Sequence, residues 1–204
     1  MKNDLNEGNY KLVLENLIIK FKSLDPIVIS KQINSFYNSK SNTFKLRFLD
    51  SNIYIHYPSG LIYKNNKKLN EDISLNILVI RFLINGIYKN QTNIYLSYKE
   101  TSEGYVYYSN FKSRTIKSFI NKYKDDFNLL KRHMEKIKAE KLDMGDISYK
   151  VRFLNEVYVV FILWYGDEEF EAEGNIWFDS NINSYFNAED LAVIPDIILN
   201  NLNK

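Results

Sequence analysis

Tyr10, Val13, Leu14, Leu17, Ile18 and Phe21 step by three and one along the chain, the spacing that gathers side chains on one face of a helix. A second helix is predicted to start at Pro26, because Asp25 can accept from the free amides of a first turn and proline needs no amide there. The period then changes. Phe44, Leu46 and Phe48 alternate with Thr43, Lys45 and Arg47, "DSN" turns the chain, and Ile53, Ile55 and Tyr57 alternate with Tyr54 and His56. That predicts a β-hairpin with one buried face. "LIY" after Gly60 adds a third short strand, and residues 71–84 are predicted as a largely buried helix, ended by Gly86 in a positive-φ cap.

Residues 93–111, "NIYLSYKETSEGYVYYSNF", read as strand or irregular structure rich in tyrosine. Ile116, Phe119, Ile120 and Tyr123 mark one amphipathic helix, and Phe127, Leu130, Met134 and Ile137 another. "ISYKVRF" then alternates as a half-buried strand, "LNE" turns, and "VYVVFILW" is apolar on both faces, as a central strand is. "NIWF" is a short strand. Asn187 caps a last helix whose Leu191, Ile194, Ile198 and Leu202 face inward and which Pro195 is expected to kink or split.

The two hairpins rhyme. "FKLRFLDSNIYI" from Phe44 and "YKVRFLNEVYVV" from Tyr149 share Lys, Arg, Phe and Leu in order and a later Tyr, once one residue of difference is allowed in the turn. "LNEDISLNILVI" from Leu69 and "FNAEDLAVIPDI" from Phe186 share a cap-like Asn and acids in the first turn. The expected fold is α+β: antiparallel β-hairpins packed against helices in a single domain over 1–204, with two β-β-β-α repeats, 43–88 and 148–203, around one mixed sheet.

A chain of 204 residues can bury a core without metal or disulfide support, and the absence of cysteine excludes disulfides, thiolate nucleophiles and cysteine-held zinc or iron–sulfur clusters. Asp4 and Glu7 stand where an export signal needs basic residues. The most apolar stretch, residues 73–84, contains Ser74, Asn76 and Arg81 and falls short of the roughly 20 apolar residues of a membrane span. A cytoplasmic location without membrane association is expected. Charge is uneven: from Asp143 onward there are 3 basic and 12 acidic residues, a net of −9, which leaves +11 on the first 142. Such halves attract one another, or the basic one attracts an acidic partner.

Five carboxylates, Asp167, Glu168, Glu169, Glu171 and Glu173, crowd the segment between Trp164 and Trp177. They are candidate Mg²⁺ ligands or acid/base groups, although adjacent residues of an extended chain point in opposite directions. Asp179, Asn181, Asn183, Asn187 and Asp190 fall at calcium-loop positions, but Ser184 replaces the glycine of the sharp turn and Asp190 the final bidentate Glu. Of the two histidines, His56 lies on the polar side of its strand beside the "PSG" turn with Ser59, and His133 borders an apolar helix face. No G-x-S-x-G, H-E-x-x-H, Walker A or G-x-G-x-x-G pattern occurs. Residues 112–141 carry 10 basic against 4 acidic residues, yet Phe119 and Tyr123 belong to the apolar helix face there, so nucleic acid is not an expected partner.

"LWYGDEEFEAEGNIWFDSNINSYFNAEDLAVI" resembles the signature region of a bacterial family, domain of unknown function 3786, found in anaerobes such as clostridia and sulfate reducers. The resemblance runs through Leu163, Trp164, Gly166, Asp167, Glu168, Glu169, Phe170, Phe178, Asp179, Tyr185, Glu189, Asp190, Leu191, Ala192 and Val193. "LDP" at residues 24–26, "PSG" at 58–60 and "DMGDISY" at 143–149 are similar to further landmarks of that family. The resemblance implies an association with anaerobic redox or cofactor metabolism, since relatives carry cysteine-rich segments; this cysteine-free chain would then be a scaffold part.

The expected function is a non-catalytic ligand- or cofactor-binding accessory protein, its cofactor unidentified, with a small-molecule or protein partner. Candidate ligand-binding residues are His56, Ser59, Trp164, Asp167, Glu168 and Asp179, on loops expected to converge. The alternatives are a carboxylate-based, Mg²⁺-dependent enzyme using Asp167, Glu168 and Asp179, and an electrostatic module for an acidic partner.

Overall fold

In the computed structural model, which describes residues 2–69 and 72–202, the chain divides into two compact units. The first comprises Met1–Tyr88 with Ser184–Phe186 and the second Lys89–Asn183 with Asn187–Lys204. The α+β class expected from the periodicities holds.

The first unit runs α1 (Lys2–Ser23), α2 (Pro26–Gln32), β1 (Phe36–Asn38), β2 (Thr43–Phe48), β3 (Ser51–His56), β4 (Ile62–Lys64), β5 (Lys67–Lys68) and α3 (Ile73–Asn85). Asp25 caps α2 by accepting from the Ile27 amide at 2.7 Å. Asp72 caps α3 through the Leu75 amide at 3.0 Å. The five strands pair antiparallel in chain order. Their alternation puts Phe44, Leu46, Ile53, Ile55 and Ile62 on one face, all buried. That face packs on helices: the Phe21 ring of α1 lies 5.9 Å from that of Phe44, and Ile18 and Ile80 close over Gly60. The opposite face is open, with Phe36 and Tyr54 exposed. Gly86 departs from expectation. Its backbone is extended, φ −62° and ψ 140°, and a Cβ there would lie 2.5 Å from the Phe82 carbonyl, so close approach rather than left-handed geometry calls for glycine.

The second unit runs β6 (Tyr95–Ser97), α4 (Gly104–Phe111), a π turn (Lys112–Ile116), α5 (Lys117–Tyr123), α6 (Phe127–Lys136), β7 (Glu140–Leu142), β8 (Ile147–Leu154), β9 (Val157–Trp164), β10 (Glu173–Asp179) and α7 (Ala188–Asn201). Its strands pair in the order β7-β8-β9-β10-β6, all antiparallel. Within each unit the expected mixed sheet is thus a purely antiparallel one.

Residues 104–111, expected to be strand or irregular, are helical. Phe111, Thr115, Ile116, Phe119 and Tyr123 are buried at helical spacing, and that burial overrides the strand preference of the exposed Tyr105, Val106 and Tyr107. Pro195 neither splits nor ends α7, which continues through it. The Asn187–Asp190 capping box starts that helix, and Arg114 of the π turn donates to the Ala192 carbonyl at 2.8 Å and lies 3.3 Å from Asp196. No helix among the described residues is long and apolar enough to cross a membrane.

With β5 and β6 set aside, and α4, the π turn and α5 taken as one continuous helix, each unit contains two helices, a short strand, a three-strand meander and a helix in the same order. Both main hairpins turn through two residues, the first with positive φ: Leu49 at 50° and Asn155 at 40°. The one-residue difference between "FKLRFLD" and "YKVRFLNE" therefore lies in the strand and not in the turn. It is the irregularity between Arg152 and Leu154 in β8, where Phe153 is the extra residue. Before it, Arg47 faces Asn52 and Arg152 faces Tyr158 at matching places, whereas the later tyrosines, Tyr54 and Tyr158, fall out of register.

His133, expected to pack at a helix edge, does so against the buried Tyr123, its Nδ1 2.9 Å from the hydroxyl. Burial pushes the tyrosine pKa up, so the hydroxyl stays protonated beside the imidazole. Burial first, then Lys122, Lys136 and Arg132, pushes the histidine pKa below its ordinary 6.5. A histidine whose folded pKa is depressed lends stability that is present above the unfolded value and lost as pH falls through the folded one. Thermal unfolding across pH should show a decline beginning near 6.5, and His133→Gln should remove that part of it.

Candidate binding groove

β9 ends at Trp164, a residue 37% exposed. The loop that follows is built rather than loose. The Tyr165 amide donates to Asp146 Oδ2 at 2.7 Å, and its ring lies 4.0 Å from that of Phe127 on α6. Asp167 accepts from the Glu169 and Phe170 amides, both at 2.8 Å, and those bonds hold its carboxyl below the usual carboxylate range. The Asp167 amide returns a bond to the Phe170 carbonyl at 2.9 Å. Gly166 is required by close approach, since a Cβ would meet the Ala172 amide nitrogen at 2.7 Å. The result is a tight turn that leaves Phe170 69% exposed.

Facing this turn, α4, the π turn and α5 present Tyr108, Lys112, Lys117 and Asn121. Between the two walls lies a groove of about 890 Å³, with Glu173, Gly174 and Asn175 of β10 along it. A π turn inserts one residue into a helix and is frequent at functional sites. Here it lies on the wall that carries the lysines.

The edge of β10 is open along this groove. β6 covers only Trp177 to Asp179. The Ser180 amide bonds the Ile94 carbonyl on the β6 side, while the Leu163 carbonyl, opposite Gly174, bonds the Asp146 amide on the β8 side. By antiparallel alternation, both observations turn the backbone groups of Gly174 and Ile176 away from β9. The Ile176 amide is taken by Asn175 Oδ1 at 2.9 Å. The Gly174 amide and carbonyl therefore face the groove side, whereas Ile176 is fully buried and does not line it.

The candidate residues separate. Trp164 lines the groove, and Asp167 and Glu168 lie on its exposed turn. Asp179 is at the far end of β10: Glu173 pairs with Trp164, and Asp179, six residues on, is roughly 20 Å away at 3.3 Å per residue. Ligands of one Mg²⁺ lie about 2 Å from it, so the expected carboxylate metal site of Asp167, Glu168 and Asp179 does not form. The fully buried Asp179 instead accepts from the Thr92 amide and hydroxyl, the Asn93 amide at 2.8 Å and the Asn181 amide at 3.1 Å. The calcium-like spacing dissolves in the same way. Asn181 Nδ2 donates to the Lys89, Asn90 and Glu156 carbonyls, and Asn187 and Asp190 cap α7. Among the described residues no group of three or more histidines and carboxylates is placed to hold a metal ion.

In the first unit His56 Nδ1 is 2.8 Å from Ser59 Oγ, and the Gly60 amide donates to the His56 carbonyl at 2.8 Å, so this pair locks the turn after β3. Sequence reasoning missed Tyr108, Lys112, Lys117 and Asn121. The helical spacing of Phe111, Thr115, Phe119 and Tyr123 was the available signal.

A family model described as Domain of unknown function (DUF3786) matches residues 25–201. No curated protein and no solved structure matches the chain.

Proposed function

We propose that this chain, which belongs to the DUF3786 family, is a non-catalytic binding or accessory protein whose groove takes an extended polypeptide as an added strand on β10. The observation that carries this reading is the open β10 edge at Gly174, beside the groove and ahead of the residues that β6 covers. Strand addition uses main-chain hydrogen bonds for affinity and pockets for alternate side chains for specificity. Trp164 and Phe170 offer rings to apolar side chains of the guest, and Lys112 and Lys117 offer charge to acidic ones. Asp167 serves by shaping the turn that presents Phe170. A cytoplasmic setting and a role in anaerobic metabolism are part of the proposal and rest on the family resemblance. So is an internal duplication of the 43–88 and 148–203 segments, supported by the common element order and matching two-residue turns.

Selection of a displayed random-peptide library on the immobilised chain should enrich extended sequences with alternating apolar residues. Phe170→Ala and Lys117→Glu, both at exposed positions, should each weaken calorimetric binding of a selected peptide by roughly 10-fold, as loss of an interface anchor does. Failure to enrich, or binding indifferent to both substitutions, would reject the groove.

A further inference from the structure

The open sheet face of the first unit carries a row of side chains that crosses all five strands. Phe36 pairs with Lys45, Lys45 with Tyr54, Tyr54 with Tyr63, and Tyr63 with Lys68. Residues directly opposite one another in antiparallel strands share a face, so Phe, Lys, Tyr, Tyr and Lys stand in one line perpendicular to the strands. Phe36 is 62% and Tyr54 41% exposed, where a solvent face would ordinarily be short and polar. A shallow concavity of about 470 Å³ lies over the row, bordered also by Asn38, Thr43 and Asn66. The other face of the same strands is sealed by α1 and α3, so this platform is backed by a rigid core.

The charge around the row is one-sided. Residues 36–68 hold six basic residues, Lys40, Lys45, Arg47, Lys64, Lys67 and Lys68, against one acid, Asp50. Among the described residues Lys45, Lys64, Lys67 and Lys68 have no carboxylate partner. Strands lie about 4.8 Å apart, which places Phe36 and Tyr54 about 10 Å apart with Lys45 between them. Ring, cation, ring is the order in which an unpaired strand offers base, phosphate, base. A duplex keeps its bases stacked inside and has no use for the rings.

We propose that this face binds single-stranded nucleic acid, the rings of Phe36, Tyr54 and Tyr63 stacking on bases and Lys45 and Lys68 contacting phosphates. The sequence-level exclusion of nucleic acid weighed the basic helices of residues 112–141, whose Phe119 and Tyr123 are core, and not this sheet. The proposal is independent of the peptide groove, which belongs to the other unit.

The test is fluorescence anisotropy of the intact chain with labelled oligouridylate and oligothymidylate at low salt. Binding should appear for one or both, the comparison distinguishing RNA from DNA, and should weaken steeply with added salt. Tyr54→Val, which keeps a strand-forming residue, and Phe36→Ala should each weaken it by roughly 5- to 150-fold, the value of one base stacked on a ring. Tyr54→Phe should retain it. Lys45→Gln should lessen the salt dependence by about one phosphate contact. Unfolding midpoints of the variants confirm that the fold persists. No binding, binding indifferent to the rings, or equal binding of polyglutamate would overturn the proposal, the last showing a general site for acidic chains.

Discussion

Replacing Asp179 by alanine is expected to destabilise the protein by about 3–5 kcal/mol, because it strands the backbone amides of Thr92, Asn93 and Asn181 in a buried place. The carboxylate is fully buried and receives the Thr92 amide and hydroxyl and the Asn93 and Asn181 amides. It therefore ties residues 92–93, which lead into β6, to the end of β10. For a chain of this length that loss corresponds to a fall in unfolding midpoint of roughly 6–20 °C. Asp179→Asn preserves the shape and one acceptor oxygen but turns a donor toward the amides, and should cost about half as much. Thermal unfolding followed by circular dichroism measures both. A midpoint within a degree or two of the parent for Asp179→Ala would mean that the loop has another anchor.

The second large effect is expected at Gly104, the first residue of α4. A Cβ there would overlap the Tyr98 carbonyl and lie 2.5 Å from Thr101 Oγ1, so Gly104→Ala must push the first helical turn outward. The Tyr98 and Phe111 rings, stacked 4.2 Å apart, tie that helix to the turn before it. Overpacking of this kind costs about 3 kcal/mol, and here it also shifts the wall that carries Tyr108 and Lys112. Gly104→Ala should therefore weaken selected peptides more than a variant of equal instability elsewhere, such as one in the first unit. Equal weakening would assign the whole effect to stability.

Where a signal was local, it was legible. The alternation of Phe44, Leu46 and Phe48, the Asp25 cap and the Asn187 cap each involve residues a few positions apart, and each formed as expected. What failed depended on contacts distant in the chain. Residues 104–111 are helical because Phe111 finds Tyr98 and Phe178, not because tyrosines favour a helix. Asp179 looked like a free ligand because Thr92 lies 87 residues away. The groove joins residues 108–121 to 164–175, and only its acidic side, Trp164 and the carboxylates of residues 167–173, stood out. The aromatic row left a trace that went unread: Phe36, Lys45, Tyr54 and Tyr63 recur every nine residues, as successive hairpin strands of equal pitch require.

The most direct test of the binding function is amide exchange at Gly174 with a selected peptide. In the free protein this amide faces an open edge, and on strand addition it should donate to the guest, so its exchange should slow and the largest chemical-shift changes should cluster at residues 173–176. Shift changes elsewhere, with Gly174 exchanging as fast as in the free chain, would contradict it.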